Sequence, residues 1–455
     1  GDLSGEIWTD RPELPGDVVR DHSADLAGQT RAEKLTQIRE AMAADAVDFH
    51  LITTLDDIAW LTNLRGTDIR YNPVFMAYLL LSPENATLFI NANKISPDLR
   101  ALLEKDGYRL ASYASIGSAL EALPSGTCLR LDKSATQYQL FQEISEEVEI
   151  MGGATYTSLP KACKNATEQS HIRSVMVRDG VAMVRLLIWL EEALKSELVI
   201  NELDVEAQLE AFRQAQANYQ GPSFRTICGY ADHGAIVHYA ASPESAHALR
   251  TEGILLLDSG GQYLDGTTDI TRTISLGSPT PEQQADYTRV LLGHIALADV
   301  VFPAGTKGYQ LDVLARGPLW KAHQNYGHGT GHGVGFFLNV HEGPQGISPA
   351  ASRKTPFKPG MLTSVEPGLY REGKYGIRIE NLVLCQDAGS SDFGEFMHFE
   401  TVTLCPIDKQ LIDREQLGPE GREWLDAYHD NVYQQLAPAL NPLEKDWLRK
   451  ATAPL

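Results

Sequence analysis

Cations are scarce in this chain: 39 lysines and arginines stand against 60 aspartates and glutamates, a formal charge of -21 over 455 residues. So acidic a surface excludes nucleic acid and anionic membrane as partners, because phosphate recognition needs clustered Lys and Arg. Cysteine is scarce too. The five thiols, Cys128, Cys163, Cys228, Cys385 and Cys405, are odd in number and share no paired spacing. That excludes a disulfide framework and fits a reducing, cytoplasmic compartment. In such a compartment the Asn-Ala-Thr triplets at Asn85 and Asn165 are chance matches to a glycosylation acceptor. No apolar run approaches the roughly 20 residues that span a bilayer, and no secretory leader, short repeat or low-complexity tract is visible. What remains is an ordinary globular composition, 43% hydrophobic and 22% charged, long enough for two or three domains. The chain opens on GDLSGEIWTDRPELPGD, Pro-rich, linker-like and without an initiator Met, which leads us to expect sequence ahead of Gly1.

Residues 30–159 read as an α/β unit. Leu35, Ile38 and Met42 recur at helical spacing behind Thr30, an N-cap residue. Residues 47–53 read as a strand, 56–63 as a short helix, 74–82 with 86–90 as a hairpin, and 97–105 and 116–123 as helices. No catalytic constellation lies here. Trp60, Arg65 and the segment NLRGTDIRYNPVF read as a turn with packed aromatics, with reach toward a neighbouring site as the alternative. From Thr167 and Glu168 a long helical pattern runs to about Lys195, carrying Ile172, Val175, Val181, Val184, Leu187 and Trp189. Further helices are predicted over 201–219, 281–301 and 309–326, and the tail 415–455 is helical with exposed Trp424 and Trp447. The expected division is an N-terminal α/β domain over 1–158, linker-like through 29, and a second domain over 159–455.

The chemistry concentrates in two stretches of that second domain. Residues 254–277, ILLLDSGGQYLDGTTDITRTISLG, give a strand, turn and strand. With the turn centred near Tyr263 and Leu264, Asp258 and Asp269 face each other across the hairpin; a bulge at Gly260 and Gly261 shifts that register by one. Residues 361–384, MLTSVEPGLYREGKYGIRIENLVL, repeat the device, with Glu366 and Glu380 symmetric about Gly373 and Arg378 on the face of Glu380. Paired carboxylates repel, and burying them alone is costly, so a cation belongs between them. Two such hairpins about a hundred residues apart suggest an internal duplication that brings four acids to one cleft.

Between the hairpins lies YGHGTGHGVGFFLNVHEGP, with His328, His332 and His341 among glycines that let a ligand approach the backbone. No HExxH motif is present, and the segment has no Lys for a phosphate loop. His238, in AIVHYA, precedes the first hairpin. Four carboxylates with one imidazole make an oxygen-rich donor set that favours Mn, Co, Mg or Fe(II) over thiolate-bound zinc. Two ions about 3.5–4 Å apart, sharing carboxylates and a hydroxide, would use all four acids and arm a nucleophile for hydrolysis. His and Arg are left to stabilise an oxyanion.

The set Asp258, Asp269, His332, Glu366 and Glu380, within LLLDSGGQYLDGTTDITRT, HGTGHGVG, VEPGLY and GIRIEN, resembles the metal site of the aminopeptidase P branch of the pita-bread metallopeptidases, relatives of prolidase and methionine aminopeptidase. The resemblance implies a mixed α/β fold, a pita-bread catalytic domain with pseudo-twofold duplication behind a smaller creatinase/prolidase-like domain. It implies two Mn(II) ions, with Co(II) or Zn(II) as alternatives, bridged by Asp269 and Glu380. Asp258 completes one ion and His332 with Glu366 the other, and Glu366 shuttles a proton. His238, His328 and His341 line the substrate pocket, and Arg378 braces the carboxylates. The implied reaction removes the first residue from peptides with proline second, where the tertiary amide defeats most peptidases. IWTDRPELP, DDIAWLTNLRG, FLNVHEGP and the helical tail resemble the long cytosolic members, homodimers with two N-terminal domains where this chain has one. Prolidase is the alternative enzyme; a metal-free creatinase-like hydrolase or a non-catalytic binding module would not need all five ligand positions filled.

Overall fold

The computed structural model describes residues 7–8, 10–196, 198–351 and 354–455, and the chain divides into two compact units, 1–161 and 162–455. The first unit is built on a six-stranded mixed sheet. In spatial order its strands are Tyr108–Ala111, Ala86–Ile90, Ala77–Leu81, Phe49–Ile52, Cys128–Leu131 and Glu149–Gly152. The helix Arg31–Ala44 starts at Thr30 through a capping box in which Glu33 accepts from the Thr30 amide at 2.7 Å, and it buries Leu35, Ile38 and Met42. Leu55–Thr62 ends because Asn63 adopts a left-handed conformation, tolerated by its short polar side chain. Trp60 and Arg65 are buried there; Arg65 donates to the carbonyls of Ala59 and Leu64, both at 3.0 Å. The stretch 63–75 is thus a packed turn. Of the 1–29 stretch expected to be linker-like, 1–6 and 9 lie outside the described residues, whereas Arg20–Asp21 pairs with Leu64–Arg65 and Ala24–Ala27 is helical.

The second unit opens with Ala166–Lys195, capped by Asn165 and Glu168, whose face of Ile172, Met176, Val181 and Val184 enters a large apolar core. Helices Glu202–Gln214, Pro281–Ala298, Gly308–Trp320, Arg414–Leu436 and Pro442–Ala451 follow the expected order. Trp424 and Trp447 are not free on the surface: both are half-buried against the core, and the Trp447 indole donates to Glu191 at 2.6 Å.

The sheets of this unit carry the two hairpins. Ile254–Ser259 lies between Ile227–Tyr230 and Ile270–Ser275, while Leu362–Val365 joins Asn381–Ser391 in a six-stranded sheet. In the second hairpin Leu362 pairs with Leu384 and, farther along, Gly368 with Arg378. Both ladders keep one register symmetric about Gly373, so Glu366 stands opposite Glu380, as its spacing predicts. The first hairpin departs from expectation. Asp258 pairs with Thr271 and Gln262 with Thr267, so the turn is centred between Leu264 and Asp265 and the register is displaced by two residues. Asp269 lies outside the ladder, two positions before Thr271 on the same face. The two aspartates are therefore diagonal neighbours, not direct partners.

Candidate metal centre

All nine residues singled out in the sequence, Asp258, Asp269, His332, Glu366, Glu380, His238, His328, His341 and Arg378, line one cleft of about 930 Å3 in the second unit. At its floor, single ligand atoms of Asp269, His332 and Glu380 lie within 4.8 Å of one another. His332 Nε2 is 3.4 Å from Asp269 Oδ2 and 3.5 Å from Glu366 Oε1. The His332 ring is aimed by its own backbone neighbourhood: Nδ1 donates to the Gly333 carbonyl at 3.0 Å, which leaves the Nε2 lone pair facing the acids.

The glycines around His332 serve a purpose other than ligand access. A Cβ on Gly331 would lie 1.9 Å from the Ser364 carbonyl oxygen, and one on Gly333 2.3 Å from that of Glu342. They let the short strand Gly331–Gly333 run backbone to backbone with both neighbours, and so bring His332 over Glu366.

The electrostatics are those of an uncompensated cluster. Burial raises the Asp269 carboxyl well above its ordinary range, and Asp258 and Glu366 push it the same way. Glu380 is raised by burial and then by Asp269, Asp258 and Glu366. Burial also lifts Glu366. Arg378 is the compensating cation within reach, and it is committed to one acid: Nη2 and Nε donate to Asp258 Oδ2 at 2.6 and 3.1 Å. Asp258 Oδ1 is buried with no hydrogen-bond partner among the described residues. Buried acids, an orphaned carboxylate oxygen and an imidazole lone pair converging on one point fit divalent cations.

Several supporting residues escaped the sequence reading. Thr271 donates to Glu380 Oε2 at 2.8 Å and Ser364 to Glu366 Oε1 at 3.3 Å. Fully buried Arg272 donates to the Glu380 carbonyl at 2.7 Å and to Asn381 Oδ1 at 2.8 Å. His294 Nδ1 donates to the Val365 carbonyl and its Nε2 accepts from Asn381, both at 3.1 Å, so one imidazole ties together the backbones beside Glu366 and Glu380. Tyr370 accepts from Arg378 Nη1 at 2.7 Å and donates to His328 Nε2 at 2.8 Å, while His328 Nδ1 donates to the Gly329 carbonyl at 2.7 Å. Burial pulls His328 down to about 4, so it is neutral, with both ring nitrogens engaged. Thr271 and Ser364 carried a local signal, since each lies two residues from a site acid, Asp269 and Glu366.

Residues 170–387 match the metallopeptidase family M24, residues 10–168 the creatinase/prolidase N-terminal domain, and residues 395–455 the C-terminal region of peptidase M24. The chain is 41% identical over 462 residues to a probable Xaa-Pro aminopeptidase P of Laccaria bicolor, covering 99% of this chain and 71% of that one. The chain belongs to metallopeptidase family M24, in its aminopeptidase P branch. Aminopeptidase P1 of Arabidopsis thaliana is 35% identical over 505 residues, covering 100% of this chain and 78% of the relative. Among solved structures, the X-prolyl aminopeptidase of Caenorhabditis elegans, described as a cytosolic enzyme with a di-nuclear active site, superposes with a TM-score of 0.94 at 34% identity, over 100% of this M24 chain and 76% of the other. The Bacillus anthracis Xaa-Pro dipeptidase, 23% identical with a TM-score of 0.63, shares the fold. The fold is accordingly the pita-bread domain of the M24 enzymes behind a creatinase-type domain. No helix among the described residues is long and apolar enough to cross a membrane.

Proposed function

We propose that this M24 enzyme is an Xaa-Pro aminopeptidase that uses two divalent ions, Mn(II) by the hardness of its donors, with Co(II) or Zn(II) as substitutes. In this reading Asp269 and Glu380 would help hold both ions, Asp258 would hold one, and His332 with Glu366 would hold the other. The observation that carries it is the convergence of Asp269, His332 and Glu380 ligand atoms within 4.8 Å, in a buried cluster whose carboxylates repel. When bound, such ions polarise a carbonyl and lower the pKa of water.

The chain's own groups do the rest. Glu366, held by Ser364 at Oε1, takes up the proton that the attacking water gives up and passes it to the departing proline nitrogen, which must gain one to leave as an amine. Arg378 fixes the Asp258 carboxylate through two nitrogens and, through Tyr370, fixes the neutral His328 ring. His238 and His341 face the cleft where the peptide carbonyl and the proline ring lie. The unit 162–455 is the catalytic domain and 1–161 the creatinase-type domain; the substrate partners are peptides with proline second, and the assembly is a cytoplasmic homodimer.

The test is hydrolysis of Arg-Pro-Pro and Ala-Pro with and without Mn(II), with metal analysis after dialysis. We expect Mn(II)-dependent cleavage of the tripeptide and about two ions per chain. Cleavage of the dipeptide alone would make the enzyme a prolidase instead.

A further inference from the structure

A second cluster of ligating side chains lies outside the cleft lining. Asp232 and His233 sit in the short helical turn Ala231–Ala235, and His247 follows fourteen residues after His233, with one ligand atom of each within 4.8 Å of the others. Between them the chain runs through His238 and Tyr239, both of which line the cleft. The cluster thus closes the two ends of the strap that carries His238.

The cluster is organised from beneath. Glu202, fully buried, accepts from His233 Nδ1 at 2.9 Å, from the backbone N–H groups of Tyr230 and His247 at 2.8 and 2.9 Å, and from the Tyr239 hydroxyl at 3.0 Å. One carboxylate therefore sets the His233 ring by its side-chain nitrogen and the His247 backbone by its amide. With Nδ1 so engaged, His233 has Nε2 to offer as a ligand atom. A carboxylate behind a histidine in this way is the arrangement that orients metal-bound imidazoles. His233 stacks on Tyr239 on one side and on His247 on the other, with ring centroids 4.3 and 3.5 Å apart. His247 Nε2 stands 3.2 Å from Asp232 Oδ1, and these two side chains are 42% and 52% exposed.

We propose that Asp232, His233 and His247 bind one borderline divalent cation, Zn(II) by their two imidazoles and one carboxylate, as a brace across the strap that carries His238. A tetrahedral ion with bonds of ~2.0–2.1 Å sets its ligand atoms ~3.4 Å apart. The exposed His247 ring supplies the remaining approach by tilting out of its parallel stack, while Glu202 holds His233 still. Nitrogen-rich donors distinguish this site from the cleft, where four carboxylates accompany a single imidazole.

The test compares the full chain with His247→Ala and Asp232→Asn, each stripped of metal and dialysed against Zn(II). The wild type is expected to retain one Zn equivalent more than His247→Ala, and Asp232→Asn to need at least tenfold more Zn(II) for the same equivalent. Because the readout is a difference, it does not depend on how many ions the cleft takes, and failure of the cleft reading leaves it intact. With Cu(II), the resonance spectrum of the wild type should carry splitting from two equatorial imidazole nitrogens that His247→Ala loses. Equal stoichiometry in wild type and His247→Ala, with matching melting curves in the absence of metal, overturns the proposal.

Discussion

Two buried aspartates bear on the hairpin 254–277, and they differ in the company they keep. Asp179, on the helix Ala166–Lys195, receives Arg213 Nε and Nη2 at 2.9 and 3.0 Å and the Tyr263 hydroxyl at 2.8 Å. Six residues after Tyr263, Asp269 meets Glu366, Asp258 and Glu380, and the Arg378 guanidinium spends its bonds on Asp258, Tyr370 and Thr271. Burial is equal in the two places, since Asp179 and Asp269 are each 4% exposed. The difference teaches that burial of an acid does not mark a site; burial without a matching cation does. The first cluster is a finished ion pair that holds the hairpin to the helix, and the second is charged in excess.

The largest expected effect comes from removing one charge of the excess. Asp269→Asn should lower turnover of Arg-Pro-Pro by at least about 10³-fold, several kcal/mol of lost metal-based stabilisation. In metal-free protein the same change should raise the melting temperature, because a like charge leaves a buried cluster. If the metal-free variant melts lower than wild type, the cluster is compensated and the contrast with Asp179 fails.

Next in size is a pH effect in the frame around the second cluster. Burial pulls His294 and His429 down to about 3, below their unfolded value. The unfolded chain therefore takes up their protons first, so their contribution is full above about pH 6.5 and is lost as pH falls from there toward 3. Each removes up to about 1.4 kcal/mol per pH unit in that window. Denaturant unfolding of His429→Gln should show a shallower acid slope than wild type; an unchanged slope would mean the ring is protonated when folded.

Asp179→Ala attacks the finished pair and should cost about 3–5 kcal/mol, because Arg213 is left buried and alone. A loss under about 1 kcal/mol would show that the pair is as dispensable as a surface one. The smallest effect is that of Tyr370→Phe, which breaks the link between Arg378 and His328. One charge-assisted hydrogen bond of about 1.5–3 kcal/mol corresponds to a ten- to hundredfold loss in kcat with metal content unchanged. An unchanged kcat would leave His328 without need of its tether.

Much of this was legible because chemistry and periodicity coincide locally. Thr30, Glu168 and Pro281 mark helix starts, and the spacing of Glu366 and Glu380 about Gly373 gives a register that the flanking ladders keep. The first hairpin misled because Asp269 stands outside the paired residues, where symmetry about a turn has no hold, and the turn itself is centred at Leu264 and Asp265. His294, Arg272 and Tyr370 were not legible at all. His294 and Arg272 hold the site across 71 and 108 positions, and Tyr370 bonds a histidine 42 positions away, distances at which no period operates.

The common register of the two ladders about Gly373 has a further consequence. Strand residues alternate faces, so one residue added to or deleted from the tip at 372–374 would rotate Glu380 and Arg378 away from the cleft together, whereas a change of two would slide them along it by one step. The tip is open to solvent, but Gly373 sits at a φ of 70°, which favours glycine, and the length of the tip is constrained by parity as well. Glu372 and Lys374, both exposed, are free to change, while Gly373 and the count of residues in the loop are not.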